Sequence, residues 1–232
     1  MKVKLFGDGA NISDMVKASK EGIIKGFTTN PTLMKKAGIT DYERFAKEVL
    51  KEITDLPISF EVFSDDFESM EKEALIINSW GKNVNVKIPI TNTKGESSIP
   101  LIKRLLDKGV FINVTAILTE EQLEDLAKSI DLESKIIVSV FAGRIADTGR
   151  DPVEVITKAV MLFNCYRNSQ ILWASVREVY NVVQADECRC DIVTVPYDIL
   201  KKLSMIGKDL KELSLETVKM FYNDAKSSGL SL

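Results

Sequence analysis

Short apolar runs alternate with longer amphipathic ones along nearly the whole chain. Residues 3–8, 23–28, 58–63, 84–90, 111–117, 136–141, 170–175 and 192–195 are brief and rich in Val, Ile and Phe, as strands are. The stretches between them carry helical spacing. In 41–53, Phe45, Val49 and Ile53 fall on one face. The pattern also predicts helices over 12–20, 67–80, 98–108, from 119 onward, and over 152–166 and 178–185, with the remainder helical to about 227. Gly109 is placed to end the 98–108 helix in a left-handed conformation. Thr119 followed three residues later by Gln122 forms a capping-box pattern, and Pro152 stands early in its helix, where proline is tolerated.

Strands alternating with helices imply a parallel sheet. Eight such units in 232 residues favour an α/β fold of the (β/α)8 TIM-barrel type, whose usual size is about 250 residues. The expected organisation is a parallel eight-stranded catalytic barrel over 1–212 with an extra C-terminal helix in 213–232. That helix carries Leu215, Val218, Phe221 and Tyr222 at roughly helical spacing. The competing architecture is an open doubly wound sheet. No Gly-x-Gly-x-x-Gly follows a strand and there is no Walker A pattern, which weakens its nucleotide-binding versions.

In a barrel, alternate strand side chains point inward, and catalytic groups gather at the C-terminal strand ends. Asp8 closes the first predicted strand, and Thr28 and Asn30 close the second. Glu61, Lys87, the pair Asn113 and Thr115, the pair Ser139 and Phe141, and Ser175 follow on successive strands. Arg144 and Arg177 lie just beyond the sixth and seventh strands. One polar residue in a strand is commonly a satisfied core group. A charged or amide group on strand after strand needs partners that packing alone does not supply. Lys87 is the candidate nucleophile, because a neutral amine in a dry pocket suits Schiff-base chemistry on a ketone. Asp8 and Glu61 are candidate acid/base carboxylates, with Thr115 placed to hold a water between Glu61 and the Schiff-base carbon. Asn30 and Asn113 suit sugar hydroxyls. Ser139, Arg144, Ser175 and Arg177 suit a phosphate, since arginine offers a planar fork of donors to an oxyanion.

Composition removes several alternatives. There is no histidine, which excludes Ser-His-Asp and Cys-His catalysis and the His-containing zinc sites. The net charge of −3 provides no basic footprint for nucleic acid. Lys35-Lys36 and Lys201-Lys202 read as solvated faces. No apolar run approaches the roughly 18 residues of a membrane span, and the N-terminus turns polar too soon for a secretory signal. The three cysteines, Cys165, Cys188 and Cys190, lack the even spacing of a disulfide framework, so a reducing, cytoplasmic location is expected.

Several of these segments resemble the motifs of one family. Gly26-Phe27-Thr28-Thr29-Asn30-Pro31-Thr32-Leu33 is similar to a signature of transaldolases, and Val86-Lys87-Ile88-Pro89 resembles that family's Schiff-base lysine segment. Asn113-Val114-Thr115, Ser139-Val140-Phe141-Ala142-Gly143-Arg144 and Ala174-Ser175-Val176-Arg177 resemble three further motifs in matching order. The resemblance spans essentially the whole chain. It implies a class I aldolase barrel of the pentose phosphate pathway, without metal or organic cofactor. Lys87 would form the Schiff base, Glu61 would work through water with Thr115, and Asp8 would handle the substrate hydroxyl in carbon–carbon cleavage. Thr28, Asn30, Asn113 and Phe141 would contact the dihydroxyacetone part, and Ser139, Arg144, Ser175 and Arg177 the phosphate. Sugar phosphates would be its partners, with neither nucleic acid nor membrane. The last helix would join subunits into a homo-oligomer, a pentamer or a decamer.

Two branches of the family differ at two positions. Fructose-6-phosphate aldolases resemble a pattern with Gln in place of Glu61 and Tyr in place of Phe141, whereas Glu and Phe resemble transaldolases. A transaldolase must protect its carbanion until an aldehyde acceptor arrives, and Phe141 has no hydroxyl to help water protonate it. A sugar-phosphate aldolase is the close rival, and a non-catalytic sugar-phosphate-binding barrel the distant one. Gly9, where the family often carries Thr or Ser, and Trp173, where a small residue is usual, leave the preferred acceptor open.

Overall fold

The computed structural model describes residues 1–229. Eight parallel strands close into a barrel in sequence order. They are β1 (Lys4–Asp8), β2 (Phe27–Thr28), β3 (Ile58–Glu61), β4 (Val84–Pro89), β5 (Ile112–Ile117), β6 (Ile136–Val140), β7 (Ser169–Trp173) and β8 (Ile192–Pro196). Between them run α1 (Ile12–Lys20), α2 (Pro31–Lys36), α3 (Tyr42–Glu52), α4 (Phe67–Ser79), α5 (Ile99–Asp107), α6 (Glu120–Ser129), α7 (Ala142–Ala146), α8 (Pro152–Phe163) and α9 (Val179–Glu187), followed by α10 (Tyr197–Leu200) and α11 (Leu210–Ser227). The chain divides into two compact units, Met1–Leu200 and Lys201–Leu232. The (β/α)8 expectation holds, and the open-sheet alternative fails because β1 pairs with β8 along five residues, Lys4 with Ile192 through Asp8 with Pro196.

The helices begin where the side chains can cap them. Asn11, Asn30, Asp41, Asp66, Thr119 and Asp151 each accept a hydrogen bond from a backbone N–H in the first turn. Thr119 and Gln122 complete the predicted capping box. Gly109 takes φ 77° after α5, as its position predicted. α11 starts at Leu210 rather than at 213 because the Asp209 carboxylate caps Lys211 N and Glu212 N. The short helices α2 and α7 have too few residues for a periodic signal, and neither was expected from the sequence, whereas α10 falls in the stretch after residue 195 that was expected to be helical.

Strand alternation sorts the side chains into two populations. One face of each strand contributes to an apolar layer that includes Phe60, which makes edge-on aromatic contacts with Tyr42, Phe45 and Trp80. The other face fills the barrel. A deep apolar cluster of Phe6, Ile137, Leu172, Ala174 and Ile192 occupies part of the interior. Beside it runs a buried polar chain in which Ser139 Oγ donates to Asn113 Oδ1 (2.6 Å) and Asn113 Nδ2 donates to Ser59 Oγ (3.1 Å). No helix among the described residues is long and apolar enough to cross a membrane.

Candidate active site

Asp8, Thr28, Asn30, Glu61, Lys87, Thr115, Ser139, Phe141, Arg144, Ser175 and Arg177 line one cavity of about 740 Å³ at the C-terminal strand ends. Thr194 and Pro196 of β8 and Asp198 of α10 also line it. A second recess of similar volume shares Pro31 and Glu61 with it, but its other walls include Met34, Ile39, Phe63 and Met70 and gather no comparable chemistry. Of the residues singled out from the sequence, Asn113 stands apart. It is fully buried in the polar chain, bonded to Ser139 of the cavity wall without lining the cavity itself.

The register sets Glu61 directly opposite Lys87 across the β3–β4 ladder. Lys87 Nζ donates to Glu61 Oε2 at 2.9 Å and to the Thr29 carbonyl at 2.8 Å. Both side chains are largely enclosed, at 6% and 16% exposure. The amine therefore does not stand alone in a dry pocket. A carboxylate touches it and can take its proton as the nitrogen becomes a nucleophile. The Glu61 main chain is itself held from behind, because the Tyr42 hydroxyl donates to the Glu61 carbonyl at 3.0 Å.

Asp8 faces this pair from β1. Its Oδ1 accepts from Thr28 Oγ1 at 2.8 Å, and Thr28 Oγ1 lies 2.5 Å from Thr194 Oγ1. With the Thr28 proton committed to Asp8, Thr194 donates to Thr28, so three strands fix one carboxyl. Burial pushes the Asp8 carboxyl above the ordinary carboxylate range, against the opposing influence of the Lys87 charge and the Thr28 hydrogen bond. Such a group holds a proton more readily than a surface aspartate and can pass it back and forth. Thr115 Oγ1 is buried without a hydrogen-bond partner among the described residues, leaving its hydroxyl for a ligand or a water. It sits where β5 changes register between Val114 and Ile117 and where Ala116 is held at φ 62°. A bulge of this kind re-aims a side chain at a strand end.

The opposite end of the cavity is made of loops. Ser175 takes φ 65° just past β7. A Cβ on Gly143 would stand 1.6 Å from the Ser175 carbonyl oxygen, so only glycine lets α7 close on this turn and bring Arg144 beside Arg177. The positive φ also breaks the alternation that would give Trp173 the same facing as Ser175. Leu172 and Ala174 line the cavity, while Trp173 is fully buried outside it. Arg177 is already engaged. Its Nε donates to Asp147 Oδ1 at 3.1 Å, and its Nη2 donates to the other Asp147 oxygen. This contact holds the Asp147 carboxyl below the ordinary range. Asp147, Thr194 and Tyr42 escaped the sequence reading. Asp147 lies in the turn after α7 and Tyr42 at the start of α3, so neither sits on a strand, where inward polar groups stand out.

A family model described as transaldolase/fructose-6-phosphate aldolase matches residues 5–232. A curated protein of Thermoanaerobacter sp. (strain X514) called "Probable transaldolase" is 35% identical over 231 residues, covering 99% of this chain and all of that one. A namesake from Thermoplasma volcanium is 37% identical over 204 residues, 87% of each chain. Among solved structures, 3-hexulose-6-phosphate synthase from Salmonella typhimurium shares the fold with a TM-score of 0.58 at 14% identity, over 84% of this chain and 89% of that one.

Proposed function

Because the chain belongs to the transaldolase/fructose-6-phosphate aldolase family, we propose that it is a transaldolase. It would move a dihydroxyacetone unit from a ketose phosphate, fructose 6-phosphate or sedoheptulose 7-phosphate, to an aldose phosphate through a Schiff base on Lys87. The observation that carries this reading is the buried contact of Lys87 with Glu61, with Asp8 in the same cavity.

The chemistry follows from those three groups. Glu61 takes a proton from the Lys87 ammonium, and the freed amine adds to the ketone carbon. The carbinolamine loses water, using Glu61 as acid and Thr115 to hold the water, and leaves a protonated imine. Asp8 takes the proton of the hydroxyl on the carbon beyond the bond to be broken. That carbon becomes an aldehyde, the carbon–carbon bond breaks, and its electron pair passes through the imine to nitrogen, giving an enamine. The enamine carbon then attacks the acceptor aldehyde, and Asp8 returns the proton to the new alkoxide. Water hydrolyses the imine and frees Lys87. Asn30 contacts the sugar hydroxyls, with Asn113 supporting through its bond to Ser139. Arg144, Arg177, Ser139 and Ser175 receive the phosphate.

The test is borohydride reduction of the protein with a panel of ketose phosphates, read by mass spectrometry, alongside an assay of acceptor-dependent transfer. A reduced adduct on Lys87 with transfer to an aldose phosphate is the expected result. An adduct with rapid release of dihydroxyacetone in the absence of acceptor identifies an aldolase instead. Absence of any adduct rejects Schiff-base chemistry altogether.

The same reading includes assembly and location. α11 presents Leu215, Val218, Phe221 and Tyr222, each more than half exposed, and such a stripe favours burial. We take it as the contact that joins subunits into a pentamer or decamer. Removing residues from Leu210 onward should lower the mass seen by sedimentation and leave the barrel folded. Full oligomeric mass after truncation would assign the contact elsewhere. The free thiols of Cys165, Cys188 and Cys190 support work in the reducing cytoplasm.

A further inference from the structure

Asp8 is flanked by Gly7 and Gly9. The φ of Gly9 lies outside the left-handed region, so its backbone conformation does not itself call for glycine. What calls for it is a neighbour. A Cβ on Gly9 would stand 2.4 Å from Tyr197 Cε2 and 3.0 Å from Cδ2, closer than real carbon contacts allow. A Cβ on Gly7 would stand 3.3 Å from the Tyr197 hydroxyl oxygen. Tyr197 opens α10 immediately after Pro196, the residue paired with Asp8 in the β1–β8 ladder. On β1, residue 7 faces away from residue 8, and Gly9 follows the strand end with its N–H donating to the Thr28 carbonyl. The tyrosine ring therefore packs behind the strand end that carries Asp8, on the side opposite the carboxyl. The Tyr197 side chain does not line the cavity, and its buried hydroxyl oxygen makes no hydrogen bond among the described residues. Its position is accounted for by the ring.

We propose that Gly9 and Tyr197 are a matched pair of positioning residues that set where the end of β1, and with it the Asp8 carboxyl, stands for the cleavage step. The proposal rests on the reading of Asp8 as the group that takes the substrate hydroxyl proton. In front, Asp8 is tied to Thr28, and Thr28 to Thr194. Behind, the ring fills the space that any side chain at position 9 would need. A residue there must push back either the ring or the strand. A strand displaced by as little as an ångström takes Asp8 out of reach of the hydroxyl. Lys87 and Glu61 stand on β4 and β3 and are paired with each other, so the change leaves imine formation alone. Loss of the ring has the same effect as an added side chain, since β1 then has no backing.

The test separates the two chemical steps. Imine formation is read as the borohydride-reduced adduct of Lys87 with fructose 6-phosphate. Cleavage is read as single-turnover release of glyceraldehyde 3-phosphate. Gly9→Ala should keep the adduct yield of the native protein while cleavage slows about 100-fold, the scale expected for a misplacement of about 1 Å. Tyr197→Ala should show the same split, and Tyr197→Phe, which keeps the ring, should restore what Tyr197→Ala loses. The double variant Gly9→Ala/Tyr197→Ala should cleave faster than Gly9→Ala alone, because the new methyl then has room. If Gly9→Ala does not fold, the contrast between Tyr197→Ala and Tyr197→Phe decides the question. Native cleavage rates in Gly9→Ala and Tyr197→Ala overturn the pairing and leave the Schiff-base reading intact, as does equal loss of adduct and cleavage. An adduct-free native protein overturns both.

Discussion

At the Lys87 end of the cavity, the working groups stand on strands, whereas at the Arg144–Arg177 end they stand on a five-residue helix and a turn. Lys87 and Glu61 are 6% and 16% exposed and bonded to each other, while Arg177 and its partner Asp147 are 47% and 51% exposed. An ion pair at the first end is poorly screened, and removing one partner leaves a buried charge. At the second end, water and salt weaken each contact, and one arginine already has a carboxylate. One cavity thus joins an enclosed end, where Lys87 and Glu61 are paired, to a more exposed end that carries the two arginines; we call them the reacting end and the anchoring end after the roles proposed for them. On the proposed reading the chemistry belongs to the first end and the phosphate to the second.

The sharpest way to break this contrast is at Lys87. Lys87→Arg keeps the charge but cannot form an imine, because a guanidinium stays protonated. Turnover should fall to background, and borohydride should leave no adduct. An adduct on another lysine would move the reacting end elsewhere.

At the anchoring end the losses should be graded. Arg144→Ala should weaken phosphorylated donors by about 1.5–3 kcal/mol, the usual range for hydrogen bonds to charged groups, and leave free dihydroxyacetone nearly unaffected. Arg177→Ala should cost less, since Asp147 already occupies its guanidinium. Competition assays with phosphorylated and unphosphorylated ligands measure both. Equal losses for the two ligand types would make the arginines supports of the fold.

A milder change concerns Phe141, which lines the cavity at the start of α7. Phe141→Tyr should raise dihydroxyacetone release in the absence of acceptor, because a hydroxyl there helps water reach the carbanion. No change in release would remove Phe141 from control of the outcome.

The smallest expected effect is on stability. Burial raises the Asp8 carboxyl above its unfolded value of about 3.8. The folded protein therefore binds that proton more tightly than the unfolded chain does. The stability this contributes is complete below pH 3.8 and is lost as pH rises through the folded value. At neutral pH Asp8 is a liability to the fold. Asp8→Asn should then be more stable than the native protein at pH 7, with the gap closing as pH falls, by denaturant melts across pH. The variant should still trap an adduct and fail to cleave. A native protein that is the more stable at pH 7 would mean that its bonds outweigh its burial.

The reacting end was legible in the sequence because its signal is local. Lys87 and Glu61 interrupt apolar strand runs, and period-two alternation turns them toward the barrel axis without any knowledge of the rest of the fold. Asp8 and Thr115 follow the same rule at their own strand ends. The anchoring end was only half legible. Arg144 and Arg177 stood out as charges beyond strands, but the engagement of Arg177 by Asp147 depends on Gly143 letting α7 approach Ser175. The place of Trp173 outside the cavity was not legible, because strict alternation gives it the parity of Ser175, and only the φ of 65° at Ser175 stops that alternation past β7.

By itself the sequence determined the order of strands and helices, the closed-barrel class and the strand residues that face inward, because periodicity and capping act over a few residues. Only the tertiary structure decided which inward groups touch. The Thr194–Thr28–Asp8 chain joins residues 166 positions apart and exists because β8 returns to β1. The burial of Asn113 outside the cavity wall goes with its bond to Ser59 two strands away. The ring of Tyr197 behind Gly9 is likewise a product of closure. Hydrogen bonds and packing contacts reach only a few ångströms, so residues far apart in sequence acquire them only when the barrel has formed.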